Sequence, residues 1–196
     1  MARIREGAGK MANVFENRVV RPVRIFADRL TFDGLLNISL GGRTLDELNL
    51  EARSFLTLAT PRLVGGAWEM AEGPIAVNKA SILFVVEIPE LGMTLRRTDE
   101  DPELRRFGRA AIRLRVAEFS VEGYVHTGSG GSSLLRLNQT AHRFIALQSA
   151  VVTGPVHEFS SSFLAINRAH VLSAQEMFSV SLVAEEVGAG SAGDTP

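Results

Sequence analysis

Two eight-residue phrases, "AVNKASIL" (Ala76 to Leu83) and "AINRAHVL" (Ala165 to Leu172), stand 89 positions apart in a chain of 196 residues. The same offset runs upstream without a gap. Arg24 pairs with Arg113, Gly34 with Gly123, and Gly41-Gly42 with Gly130-Gly131. Leu45, Leu48 and Asn49 pair with Leu134, Leu137 and Asn138, and Ala52, Phe55 and Leu58 with Ala141, Phe144 and Leu147. Conservative matches such as Val23 with Ile112, Asp33 with Glu122 and Lys79 with Arg168 fill the spaces. Self-similarity at one fixed period predicts a structural unit used twice.

The duplication divides the chain into a flexible leader (1–17), a first repeat (18–90), a charged linker (91–110), a second repeat (111–178) and a C-terminal segment (179–196). The closing "GAGSAGDTP" is small and polar and is expected to be disordered. The linker "LGMTLRRTDEDPELRRFGRA" is dense in mixed charge and reads as a solvated connector. Within it, "DPELRRF" predicts one helical turn, with Asp101 as N-cap and Pro102 at the first helical position.

Each repeat reads as short strands. "VRIFAD" and "IRLRVA" alternate, the period of a half-buried strand. "LTFDGLL" and "FSVEGYV" follow, each with a glycine at mid-strand, where a bulge or sharp bend curls a sheet. Phe26 stands where the second repeat has the outward-facing Arg115, so Phe26 is expected to meet the partner repeat or another subunit. "GGRTLDELN" and "GGSSLLRLN" predict a short helical turn capped by Thr44 or Ser133, with Glu47 closing a capping box on Thr44. Asn49 and Asn138 fall where a left-handed C-terminal cap belongs. "SFLTLATPRLV" and "RFIALQSAVVT" read as a third strand. "PIAVNKASILFVVEI" and "FLAINRAHVLSAQEM" read as two more, broken near Asn-Lys and Asn-Arg. The expected fold is mainly β: two tandem small barrels of about five strands and one helical turn each.

This pattern resembles the Sm/Lsm-like small barrel, which is also described as SH3-like. The spacing of "VNKASILFV" (Val77 to Val85) resembles the second Sm motif, with Asn78-Lys79 and Asn167-Arg168 in place of the usual Arg-Gly pair. "LxxLN…RFIALxxAxV…FLAINRAHVL" more closely resembles an uncharacterised bacterial domain family thought to be Sm-like, and the likeness covers both repeats. Sm proteins that bind RNA use an Asp and an Asn before the third strand and a cation in the later motif. The resemblance therefore implies Asn49, Asn138, Asn78, Lys79, Asn167 and Arg168 as nucleic-acid-binding residues. Asp46 is the nearest acidic residue in the first copy, and Leu135 replaces it in the second.

"NISLGG" (Asn37 to Gly42) resembles the Asn-x-Ser-x-x-Gly signature of cyclic-di-GMP-binding PilZ barrels. Those barrels also carry an Arg-x-x-x-Arg element, whereas Arg18, Arg21 and Arg24 are spaced by three. That likeness implies Arg18, Arg21, Asn37 and Ser39 as nucleotide-binding residues. A Gly-Gly turn accounts for the same cluster by loop chemistry alone.

No catalytic constellation stands out. The chain has no cysteine, which excludes disulfides, thiolate nucleophiles and sulfur-bound zinc. The four histidines, His126, His142, His157 and His170, lack metal-ligand spacing. "GSGGSS" lacks the Lys-Ser/Thr of a phosphate-binding loop. Neither an enzyme, a cofactor nor a metal site is expected. A formal net charge of −1 gives no general pull toward nucleic acid. No apolar run of about eighteen residues predicts a membrane span, and the first residues lack the apolar core of a secretory signal, so a cytoplasmic location is expected.

The expected function is that of a non-enzymatic interaction or scaffold protein that self-assembles through barrel edges as a homo-oligomer, or that pairs with a protein partner. Three chains would supply six barrels for a closed ring. RNA binding through the Asn-Lys/Arg turns is the alternative, and cyclic-dinucleotide binding at "NISLGG" the second.

Overall fold

Alternation makes the strands. Val23, Ile25 and Ala27 are buried, and the residues between them are only partly covered, in β1 (Arg18–Ala27). Ile112, Leu114 and Val116 do the same in β6 (Arg109–Val116), where Arg113 and Arg115 are exposed. This is the pleat of a strand with one covered face. In the computed structural model, residues 18–66, 70, 72–89, 108–127, 132–155 and 158–177 are described. The predicted helical turn at Asp101, the Gly-rich stretch at 128–131, the leader and the tail lie outside them. The expected linker ends earlier than the spacing suggested, since β6 already begins at Arg109.

The first half contains β1, β2 (Leu30–Ser39), α1 (Thr44–Leu48), β3 (Phe55–Leu63), β4 (Ile75–Asn78) and β5 (Ile82–Glu87). The second contains β6, β7 (Phe119–His126), α2 (Ser133–Gln139), β8 (Phe144–Thr153), β9 (Glu158–Asn167), a 3-10 turn (Arg168–His170) and β10 (Val171–Met177). Among the described residues the protein is mainly β. Its strands form one antiparallel sheet in the order β10-β6-β7-β8-β9-β5-β1-β2-β3-β4. Where the sequence predicts two separate barrels, the ladder is continuous from half to half and is not closed. The seam is β5 against β9, with Phe84 opposite Ile166, Val85 opposite Ala165 and Val86 opposite Leu164.

Two apolar cores lie along this sheet, and each borrows from the other half. Val23, Ile25, Leu36 and Leu58 of the first half pack with Phe144 and Ala165 of the second. Ile112, Leu114, Leu147 and Val152 pack with Leu83, Phe84 and Val86 of the first. Strands β5 and β9 are therefore covered on both faces, which explains the unbroken apolar runs "ILFVV" and "FLAI".

The mid-strand glycines bend the sheet as expected. The β2–β3 ladder shifts between Asp33 and Leu35, and the β7–β8 ladder between Glu122 and Tyr124. A Cβ on Gly34 would stand 2.5 Å from Leu58 Cγ. The bends are shared with the facing strands: Thr60 (φ 42°) and Ser149 (φ 47°) both take left-handed backbone there. Asp28 (φ 27°) and Ala117 (φ 49°) do so in the β1–β2 and β6–β7 turns. Each pair is again separated by 89 positions.

Helix capping differs from the sequence expectation. The N-cap of α1 is Arg43, whose main-chain N–H donates to Asp46 Oδ2 at 3.0 Å, in place of Thr44 with Glu47. The N-cap of α2 is Ser132, in place of Ser133. Thr44 and Ser133 are buried first-turn residues instead, each facing an acidic side chain from the last strand of its half. Thr44 Oγ1 donates to Glu87 Oε1 at 2.5 Å, and the Ser133 main-chain N–H donates to Glu176 Oε1 at 3.0 Å. That tertiary partner draws the helix start one residue forward. Asn49 is not left-handed (φ −90°, ψ 3°), and Asn138 lies within α2.

Candidate functional site: the junction between the halves

The seam is built from side chains that reach across it. Asn49 follows α1 and faces the start of β8. Its Nδ2 donates to Phe144 O at 2.9 Å, and Phe144 N donates to its Oδ1 at 2.8 Å. Asn167, at the end of β9, is fully buried. Its Nδ2 donates to Lys79 O at 3.1 Å and Ile82 O at 2.9 Å, while its Oδ1 accepts from Ala169 N at 3.1 Å. His170 Nε2 lies 2.6 Å from Ala80 O. One amide thus satisfies main-chain groups on both sides of the junction, as a buried polar side chain must.

Lys79 is 2% exposed, and its Nζ donates to the carbonyls of Glu47 and Leu50, both at 3.0 Å. These are carbonyls at and just beyond the C-terminus of α1, which accept only long main-chain bonds, from Leu50 N at 3.4 Å and Arg53 N at 3.3 Å, and attract a cation. Burial pushes the Lys79 ammonium below its ordinary value, Glu47 opposes this, and Arg53 and Arg143 push it further down. Arg168 does the parallel work after α2, donating to the carbonyls of Thr140 and His142. Asn78 is exposed and holds its own turn, its Oδ1 accepting from Ala80 N at 2.9 Å.

Beside the seam lies a cleft of about 240 Å³, lined by Asn49, Arg53, Ser54, Lys79, Ala141 and Arg143. Arg53 is paired with Glu47 at 2.6 Å. Asn49 and Lys79 from the Sm-like resemblance meet here. Asn138, Asn78 and Arg168 do not line this cleft, and Asn167 is enclosed behind it. Arg143 entered the site unannounced, since its counterpart 89 positions earlier is Ser54.

On the other side of the seam, Phe26 stacks on Phe159 with ring centroids 5.5 Å apart and meets Phe84 at 4.4 Å and Phe119 at 6.0 Å. Phe26 thus touches the second half, where Arg115 remains exposed. The PilZ-like residues sit on the β1–β2 hairpin. Arg18 stands opposite Ser39, and Asn37 opposite Val20, on one face, while Arg21 stands opposite buried Leu36 on the other.

Among the described residues no group of three or more His, Asp or Glu side chains is placed to hold a metal ion, and no helix is long and apolar enough to cross a membrane. Burial, then the charge of Arg109, lowers the pKa of His126. Compared with known proteins, the chain matches no protein-family model, no curated protein and no solved structure.

Proposed function

We propose that this protein is a non-enzymatic interaction or scaffold module built from a duplicated Sm-like small barrel, and that it assembles edge to edge with further copies. One observation carries the reading. Strand β9 adds to β5 within the chain, which leaves β4 and β10 as the outermost strands of the sheet. They are the counterparts, by the 89-residue offset, of the two strands that meet at the seam. An open apolar edge is a template for pairing, and a barrel-like unit that already uses this mode once carries what it needs to use it again. Size-exclusion chromatography with light scattering tests this. A mass about three times the 21.2 kDa chain is expected, from six barrels in a ring. A strict monomer at micromolar concentration overturns it.

A second reading, single-stranded RNA binding, is favoured by the cleft. Arg53, Arg143 and the buried Lys79 line it together, and phosphate is the anion such a cleft would attract. Binding should weaken steeply with salt in an anisotropy titration and fall in Arg143→Ala. No binding to single-stranded RNA at low salt removes this reading.

A further inference from the structure

We infer that β10 of one copy pairs with β4 of a second copy in the register that already joins β5 to β9, so that Ala174 stands opposite Ala76 of the second copy, Ser173 opposite Val77 and Gln175 opposite Ile75. The inference rests on the edge-to-edge reading above and deepens it. It follows from moving each seam partner by 89 positions: Val85 becomes Ala174 and Ala165 becomes Ala76.

Three side chains that the seam buries have identical counterparts on the outer edges, and there they lie bare. Leu83 is 4% exposed and Leu172 71%. Phe144 is 1% exposed and Phe55 53%. Asn167 is fully buried and Asn78 exposed. Large apolar side chains gain nothing from water, and an exposed apolar edge strand is a liability that folded chains ordinarily blunt with charge or proline. Here β4 reads "IAVN" and the exposed start of β10 "VLS", with neither a charge nor a proline.

The polar fastenings are duplicated too. Asn49 clasps the main chain of Phe144, and Asn138 and Phe55 are the same pair at the free ends. Without a neighbour, Asn138 Nδ2 turns back to Leu134 O in its own helix at 3.2 Å. Asn167 bonds Lys79 O and Ile82 O, so Asn78 would bond the carbonyls of Arg168 and Val171 in the neighbouring copy. Phe144 packs into the core of the half it does not belong to. Phe55 would enter the second core of the neighbour in the same way, against Leu137, the counterpart of Leu48.

The contact is head to tail, since β4 meets β10 and not itself. Such contacts close into a ring or continue as a filament, according to the rotation between copies. It is also less apolar than the seam, because Ser173 and Gln175 replace Phe84 and Val86. Copies therefore separate on dilution while the two halves of one chain stay joined.

The absence of cysteine makes the register directly readable. Mixing Ala76→Cys chains with Ala174→Cys chains under mild oxidation should give a covalent dimer on non-reducing electrophoresis, since directly opposed positions lie within disulfide reach. Mixing Ala76→Cys with Ser173→Cys should give none, because a one-residue slip turns the side chains to opposite faces. Leu172→Asp should bring the light-scattering mass down to a single chain with an unchanged circular dichroism spectrum. An oligomer that shows no Ala76–Ala174 cross-link, or cross-links both mixtures equally, overturns the register and leaves edge assembly standing. A wild-type monomer overturns both.

Discussion

Asn49 holds both main-chain polar groups of Phe144, accepting from its N–H at 2.8 Å and donating to its carbonyl at 2.9 Å. The two residues are 95 positions apart, and this clasp ties the end of α1 to the first residue of β8. It substitutes for the ladder bonds that Phe144 would otherwise lack at a strand end.

Asn49→Ala removes both bonds and leaves a part-buried N–H and C=O without partners. A loss of roughly 1–3 kcal/mol is expected, the usual cost of orphaning such groups. Asn138→Ala, whose side chain bonds only within its own exposed helix, should change the stability of the separated chain by less than about 0.5 kcal/mol. Urea unfolding of both variants at high dilution checks the contrast, and equal losses would contradict it.

Lys79→Met keeps the stem packed and deletes the ammonium that bonds Glu47 O and Leu50 O. The same denaturation assay should register a loss of about 1–3 kcal/mol, the range for hydrogen bonds from a charged donor, because each carbonyl keeps only its long main-chain bond, from Leu50 N at 3.4 Å or Arg53 N at 3.3 Å. Lys79→Arg is not expected to rescue it, because a planar guanidinium does not fit a cage built for a compact ammonium. Full rescue by arginine would show that the site tolerates any cation.

Gly34→Ala places a Cβ 2.5 Å from Leu58 Cγ, and Leu58 is fully buried. Overpacking of this kind costs roughly 1–3 kcal/mol. At Gly123 the nearest atom to an added Cβ is Gln148 O at 3.2 Å, so Gly123→Ala should cost less. Thermal melting of the two variants gives the order, and a larger drop for Gly123→Ala would reverse the assignment of the tighter bend.

Glu176 has its pKa lowered first by the Ser133 main-chain N–H, with the Ser132 hydroxyl adding to it. The folded state therefore favours the ionised carboxylate. Its stabilising contribution is complete above the unfolded carboxyl value of 4.5 and disappears as pH falls through the lowered folded value. Glu176→Gln should be less stable than wild type at neutral pH and should converge with it in acid. A difference that persists below the folded value would place the effect in packing and not in charge.

The sequence by itself determined the periodic features. Alternating Val23, Ile25 and Ala27, the glycines at 34 and 123, and the single offset of 89 dictated strand identity, bend positions and the order of elements. These follow from pleat geometry and local sterics, which act over a few residues and so leave a mark in a short window. What only the tertiary structure decided were the partners. The N-cap moved from Thr44 to Arg43 because Thr44 found Glu87 across the sheet. Asn49 and Lys79, legible as a candidate ligand pair, are spent on Phe144 and on the carbonyls after α1. The joining of β5 to β9, and the exposure of Leu172 where Leu83 is buried, could not be read from either phrase alone. The phrases "AVNKASIL" and "AINRAHVL" share one local chemistry, and burial belongs to whatever strand lies alongside. Hydrogen bonds and apolar contacts between distant strands depend on which edge meets which, and that choice is made only when the whole sheet assembles.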